Sequence, residues 1–170
     1  MKKSILSAAI IAAIYGVSGA AIADSNTADV TQSGSTNTTV VDQTINATNN
    51  VATVVQGGTL NIADVTQNDS DLSEASITQD AGTSSSTATI GQTFAAVTNT
   101  ASITQIAATS SNATILQTGT TNDADIYQNH TGAYGPGSVV KVEQAGLTNT
   151  ADVDQTHTDG SDSLVKQSGT

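Results

Sequence analysis

Residues 99–105 read Asn-Thr-Ala-Ser-Ile-Thr-Gln, and this unit recurs along the chain in the form [Asn/Ser]-x-Ala-x-[Val/Ile]-x-Gln. Its four fixed positions lie two residues apart, which is the side-chain period of a β-strand, so their side chains share one face. The intervening positions are mostly Thr, Asp, Ser and Glu, which suits a face in contact with solvent. The unit predicts a β-strand with a defined inner face, because an α-helix would scatter the four positions around its circumference.

Twelve copies of the unit occupy residues 26–167. The last position holds every Gln of the chain: Gln32, Gln43, Gln56, Gln67, Gln79, Gln92, Gln105, Gln117, Gln128, Gln144, Gln155 and Gln167. The first position holds Asn26, Asn37, Asn50, Asn61, Ser73, Ser86, Asn99, Ser111, Asn122, Ser138, Asn149 and Ser161. The fifth position holds Val30, Val41, Val54, Val65, Ile77, Ile90, Ile103, Ile115, Ile126, Val142, Val153 and Val165. The third position is Ala except at Thr39, Val140 and Ser163.

The strands are joined by connections of four to six residues, and of nine residues in one case, Asn129 to Gly137. These are turn lengths. We expect an all-β fold, a β-solenoid of six strand-turn-strand rungs whose twelve short strands form two stacked parallel sheets of the cross-β type. The spacings leave open which neighbouring strands share a rung. Taken in order, the six repeats are 26–43, 50–67, 73–92, 99–117, 122–144 and 149–167.

In such a stack the Ala and Val/Ile positions form a thin, dry interior, which explains why only 2% of the residues are aromatic. The Asn and Gln side chains then lie at the margins of the interior, above and below equivalent residues about 4.8 Å away. Their amides can hydrogen-bond along the column and satisfy groups that would otherwise be buried without a partner. The repeat therefore predicts a structural amide ladder of the Gln and Asn positions.

The N-terminal residues 1–23 have the features of a secretory signal peptide. Lys2 and Lys3 precede an apolar run from Ile5 to Val17, and small residues lie before Asp24. Cleavage leaves residues 24–170 with two lysines against fifteen acidic residues, so we expect no binding to nucleic acid and no stable insertion into a membrane. The absence of Cys excludes disulfides as a source of stability in this secreted chain.

No arrangement of residues predicts catalysis, and we expect neither an enzyme nor a cofactor or metal site. His130 and His157 would share a column on neighbouring rungs, but two exposed turn histidines explain the pattern as well as a pH-sensing or metal-binding pair does. The acidic group of Asp69, Asp71 and Glu74 lacks the glycine and the frame of an EF-hand loop. It is expected to be a solvated turn.

Charge is unevenly distributed along the repeats. Residues 81–122 carry no charged side chain, whereas Asp123, Asp125, Asp152 and Asp154 lie in the later strands. In the predicted stack Asp125 and Asp152 lie side by side on adjacent rungs, where like charges oppose association. We expect these four aspartates to act as gatekeepers, residues that slow aggregation.

The paired units resemble the curlin repeats of bacterial curli fibres, Ser-x5-Gln-x-Gly-x2-Asn-x5-Gln. The best matches run from Asn26 to Gln43, which includes Gln32-Ser-Gly-Ser-Thr-Asn37, from Asn50 to Gln67, from Ser111 to Gln128 and from Ser138 to Gln155. The resemblance implies an extracellular, cell-surface functional amyloid fibre (fimbrium) of the biofilm matrix, which serves adhesion and surface colonisation. It also implies a periplasmic chaperone, an outer-membrane export pore and a nucleator subunit of the curli type as partners.

Within that resemblance we expect the major, fibre-building subunit, which polymerises with itself into a homopolymeric fibre. Its first strand would begin two residues after the cleavage point, so both terminal rungs are expected to be open to further stacking. The minor nucleator subunit, a monomeric surface adhesin of the same shape and an ice-binding solenoid are the alternatives. The outward Thr residues are too irregular in the later strands to favour ice binding.

Overall fold

The computed structural model describes residues 25–44, 46–132 and 137–169. These residues form twelve strands and about six turns of a β-solenoid, which confirms the predicted fold. The strands are β1 (Thr27–Gln32), β2 (Thr38–Asp42), β3 (Val51–Gln56), β4 (Ile62–Asp71), β5 (Glu74–Gln79), β6 (Thr87–Val97), β7 (Thr100–Ile106), β8 (Asn112–Thr120), β9 (Asp123–Asn129), β10 (Val139–Leu147), β11 (Thr150–Thr156) and β12 (Asp162–Gly169).

Two parallel sheets share the strands alternately. The odd-numbered strands form one sheet in the order β1-β3-β5-β7-β9-β11, and the even-numbered strands form the other in the order β12-β10-β8-β6-β4-β2. Each strand pairs in register with the next strand of its own sheet, so that Gln79 lies beside Gln105 and Ile77 beside Ile103. The register is set by the repeat, because a shift by one residue would turn every apolar side chain to solvent.

The core lies between the two sheets and consists of columns of small and β-branched side chains. The Ile column contains Ile77, Ile103 and Ile126 in one sheet and Ile90 and Ile115 in the other, all fully buried. The columns continue to Val30, Val41, Val153 and Val165, which are only partly buried because they lie on the first and last rungs. Among the described residues, the buried hydrophobic side chains are all Ala, Val or Ile.

The even-numbered strands differ from the expected seven-residue length. β4 and β6 span 10 and 11 residues and continue beyond the Gln into the connections. These connections stack on one another and so pair their backbone groups between rungs, which a free turn could not do. Strand β6 lies between β4 and β8 in the sheet and carries extra residues, Phe94 and Ala95, that have no partner in β8. Both have a left-handed backbone, and Phe94 is 78% exposed.

The predicted signal peptide, 1–23, lies outside the described residues. Residues 133–136 of the longest connection lie outside them as well. In the described ranges, no helix has the length and apolar character needed to cross a bilayer.

Candidate functional site

Hydrogen-bonded glutamine columns run through both sheets. In the odd-numbered sheet, Nε2 of each Gln donates to Oε1 of the Gln on the next rung, at 2.6 Å for Gln32 to Gln56 and 2.8 Å for Gln79 to Gln105. The remaining bonds of this column join Gln56 to Gln79, Gln105 to Gln128 and Gln128 to Gln155. The even-numbered sheet has the same chain of bonds through Gln43, Gln67, Gln92, Gln117, Gln144 and Gln167, at 2.8–3.0 Å. Both columns have the same direction, with donors pointing toward the C-terminal rung.

The second amide hydrogen of the glutamines connects the two sheets. Gln79 Nε2 donates to the carbonyl oxygens of Ser86 and Ile62, each at 3.2 Å, and both residues belong to the opposite wall of the solenoid. Gln92 repeats the pattern at Asn99 and Glu74. Each Gln therefore closes the edge of the interior as well as linking rungs, which accounts for its presence in every unit.

The Asn and Ser columns bond in another way. Asn50 Oδ1 accepts the backbone N–H of Ser73 at 2.8 Å, and Asn26 Oδ1 accepts that of Asn50 at 2.9 Å. Among the described residues, a direct amide-to-amide bond in these columns occurs only from Asn149 Nδ2 to Asn122 Oδ1. The expectation of an amide ladder at the Asn positions is therefore corrected, because these shorter side chains reach the backbone of the next rung.

The sequence interpretation missed a further repeated position, three residues before the Asn or Ser. It holds Gly34, Ala47, Gly58, Ser70, Thr83, Ala96, Ala108, Gly119, Gly146 and Thr158. Except at Gly34 and Ala96, its carbonyl oxygen accepts a hydrogen bond from the Asn or Ser of the preceding rung, as in Asn50 Nδ2 to Ser70 O at 3.0 Å. The signal that could have revealed it is its small size in every copy, which the narrow corner of the solenoid requires.

The four predicted gatekeepers lie on the outer face of the odd-numbered sheet, but only two of them meet. Asp125 pairs in register with Asp152, whereas Asp123 pairs with Thr150 and Asp154 with Tyr127. Partial burial, followed by the charge of Asp152, raises the pKa of Asp125 above its ordinary value of 3.8. The Asp125–Asp152 pair thus makes the larger contribution to the predicted repulsion, and Asp123 makes a smaller one.

The outer face of the even-numbered sheet contains charges of both signs. Glu143 lies between Lys141 and Lys166, with Nζ–Oε distances of 2.5 Å and 2.7 Å. Hydrogen bonds from Lys141 and Lys166 lower the pKa of Glu143 to about 2. On the N-terminal rungs, partial burial and then the charge of Asp42 raise the pKa of Asp64. The sequence interpretation identified neither group.

The two histidines share a column, as expected. The rings of His130 and His157 stack with their centroids 5.0 Å apart and their planes 4° from parallel. Imidazole nitrogen lone pairs lie in the ring plane, so two parallel planes do not direct them toward a common point between the rings. In the described ranges, no group of three or more His, Cys, Asp or Glu side chains is arranged to hold a metal ion.

The acidic connection after β4 holds one unusual group. Asp71 lies at the end of β4 beside Val97, and its Oδ1 is buried without a hydrogen-bond partner among the described residues. Asp69 of the same strand has a left-handed backbone, with φ 51°. The structure thus places part of this predicted solvated turn inside the stack of connections.

The terminal rungs present strand edges. β1 and β2 each pair with one strand, as do β11 and β12, so among the described residues one edge of each of these strands has no strand beside it. At the N-terminal edge the glutamine columns end in Oε1 acceptors of Gln32 and Gln43. At the C-terminal edge they end in the Nε2 donors of Gln155 and Gln167. Such edges can template a further parallel strand.

Comparisons of the chain with protein-family models, with curated proteins and with solved structures each find no match. The resemblance to curlin repeats therefore stays a prediction from the repeat unit. The structure itself is a β-solenoid with two glutamine ladders and with strand edges at its terminal rungs.

Proposed function

We propose that this chain is a secreted structural subunit of curli-type functional amyloid fibres. Copies associate end to end, so that the rungs of one solenoid continue those of the next. The observation that carries the proposal is the in-register parallel stacking of all twelve strands together with the two ladders of Gln side chains. This arrangement is the one in which every added rung repeats the contacts of the rung before it.

Addition of a further copy is favourable because a terminal rung leaves backbone hydrogen-bonding groups unpaired and apolar side chains partly exposed. The outer edges of β11 and β12 present backbone donors and acceptors in the pattern that parallel strands satisfy. Val153 and Val165 on these strands are only partly buried, whereas the equivalent Ile126 and Val142 one rung inward are fully buried. A stacked copy would remove the apolar surface of the end rung from water and complete both ladders.

The location and partners follow from the sequence and not from the fold. Residues 1–23 support export, and the resemblance to curlin repeats supports assembly on the cell surface for biofilm matrix, adhesion and colonisation. A nucleator subunit, an outer-membrane pore and a periplasmic chaperone of the curli type are the proposed partners. The role is structural, without catalysis or a cofactor.

The test is seeded fibre growth. Residues 24–170 are purified in denaturant, diluted to neutral pH and followed by amyloid-dye fluorescence, with fibre diffraction on the product. Seeded growth and reflections near about 4.7 and 10 Å support the proposal. A folded β monomer that never elongates from seeds overturns it in favour of a monomeric surface adhesin, or of an ice-binding protein if thermal hysteresis appears.

A further inference from the structure

The glutamine ladders give each end of the solenoid a different chemical character. Gln32 and Gln43 offer Oε1 acceptors at the N-terminal rung, and Gln167 offers an Nε2 donor at the C-terminal rung, where Gln155 Nε2 donates to Ser161 O and Ser163 Oγ until a further rung is added. A C-terminal rung placed on an N-terminal rung continues both ladders. Two N-terminal rungs face to face would instead place acceptor against acceptor, which leaves buried groups unpaired.

The internal register defines what such a junction would contain. Between neighbouring rungs, Gln144 pairs with Gln167 and Glu143 with Lys166. Continuing the same register places Gln43 of the next copy beside Gln167. Counting back along both strands then places Asp42 of that copy beside Lys166 and Val40 beside Leu164.

These end residues complement one another on the outer face of the even-numbered sheet. Leu164 and Val40 are 61% and 50% exposed, so each has apolar surface available for a contact across the junction. The Lys166 side chain is 64% exposed and holds Glu143 at 2.7 Å, which leaves further ammonium donors for a second carboxylate. The column across the junction would read Glu143, Lys166, Asp42, with signs that alternate.

We propose that copies of this chain stack head to tail in this single register, with Lys166 paired to Asp42 and Leu164 packed on Val40 of the next copy. The inference rests on the proposed end-to-end assembly and adds its direction, register and recognition contacts. The contacts belong to the end rungs only, so they distinguish a correct junction from a slipped or inverted one.

The same register places one repulsive contact at the junction. On the odd-numbered sheet Asp29 of the next copy would lie beside Asp152, which already faces Asp125 inside the solenoid. Three carboxylates then follow one another along one column. The junction therefore relies on the Lys166–Asp42 side for its direction.

Paired charge reversals test the contact. A fibre made of the Lys166→Glu variant alone, or of the Asp42→Lys variant alone, has like charges at every junction. Seeded elongation of each variant should therefore be slower than that of the wild type. An equimolar mixture can alternate the two variants and restore an opposite-charge pair at every junction. We expect the mixture to elongate about fivefold faster than the mean of the separate variants at the same total concentration and low salt. No acceleration in the mixture overturns the proposal.

Matched controls separate this contact from net charge. Lys141→Glu and Asp64→Lys make the same charge changes on the same sheet, one rung inward from each end, beside Leu164 and Val40 but outside the column of Lys166 and Asp42. Their mixture should elongate at the mean of its components. An acceleration equal to that of the end-rung pair would mean that general charge attraction suffices, which also overturns the proposal.

Cross-linking measures the register without charge changes. The chain has no Cys, so a Val40→Cys, Leu164→Cys double variant has two thiols only. Oxidised fibres should yield a ladder of covalent oligomers on a denaturing gel, because paired Cα atoms in the proposed junction lie about 4.8 Å apart. Covalent dimers from Val40→Cys alone would show head-to-head contacts and overturn the proposal. Wild-type chains that form no fibres would overturn the proposed function itself, whereas fibres that fail both tests overturn only the junction.

Discussion

Asp125 and Asp152 lie side by side, in register, on the outer face of neighbouring strands β9 and β11. Burial and then the neighbouring carboxylate raise the pKa of Asp125. The Asp125 carboxyl group therefore binds its proton more tightly in the folded chain than in the unfolded chain. A raised folded-state pKa means that the free energy of unfolding decreases as pH rises from 3.8 through the folded value. The pair therefore weakens the C-terminal rungs at neutral pH.

Removing one charge of this pair should weaken the pH dependence. We expect Asp152→Asn to raise the unfolding midpoint at pH 7, to shorten the lag of fibre growth and to reduce the difference between pH 7 and pH 4. Denaturant unfolding and dye fluorescence at the two pH values measure this. The matched control is Asp154→Asn, which removes the same charge from a position that faces Tyr127. Equal effects of both variants would show that net charge, and not the pair, is responsible.

The interior of a glutamine ladder should tolerate no apolar replacement. Gln105 is fully buried, accepts from Gln79 and donates to Gln128, each at 2.8 Å. Gln105→Leu leaves these two groups without their partner, at a cost of about 1–3 kcal/mol for each. Urea unfolding should show a large fall in stability.

The end of the same ladder provides the comparison. Gln32 is exposed, and its partner Gln56 Oε1 also accepts a hydrogen bond from Thr39 Oγ1. Gln32→Leu should therefore cost much less than Gln105→Leu in urea unfolding of the monomeric solenoid. Similar losses for the two variants would contradict a stabilising role that depends on burial.

The corner of the solenoid requires glycine at position 146. Gly146 has φ +100°, and a Cβ built on it would lie 1.9 Å from the carbonyl oxygen of Gly169. Gly146→Ala should therefore separate β10 from β12 and lower the thermal midpoint. In Gly169→Ala the new Cβ would lie 3.7 Å from Asn149 Oδ1, an ordinary contact. A Gly146→Ala protein as stable as Gly169→Ala would show that the corners do not pack as described.

Glu143 should keep its charge as the pH falls to about 2. Hydrogen bonds from Lys141 and then Lys166 lower its pKa to about 2. A lowered folded-state pKa means that this group's contribution to stability is present above 4.5 and is lost as pH falls through about 2. The chain has only two Glu residues, so carbon NMR of glutamate-labelled protein follows the titration directly. Lys141→Met should raise the Glu143 midpoint, and an unchanged midpoint would contradict the contact.

The repeat predicted the strands well because each seven-residue unit contains the alternating pattern of a β-strand. The alternation in Asn99, Ala101, Ile103 and Gln105 defines the inner face whichever strand lies alongside. The prediction was weaker in the connections. Ser70 and Ala96 belong to stacked corners whose backbone pairs between rungs, and that pairing depends on the neighbouring rung.

The amide positions show the same division at the level of single atoms. Gln and Asn were expected to behave alike, but Gln79 bonds to another side chain whereas Asn50 bonds to the backbone. The difference arises from one methylene and from the place of Asn at the beginning of the strand. Which group each side chain reaches depends on the distance between neighbouring rungs, which the sequence does not contain.

The sequence by itself determined the strand spacing, the inner face and the stacking of like on like, because a period of two and twelve equivalent units admit few other packings. The tertiary structure decided which side chains meet across rungs. It placed Lys166 beside Glu143, Asn50 Oδ1 on the backbone N–H of Ser73 and a small residue at each described corner, since these contacts join residues about 25 positions apart and depend on the distance between neighbouring rungs.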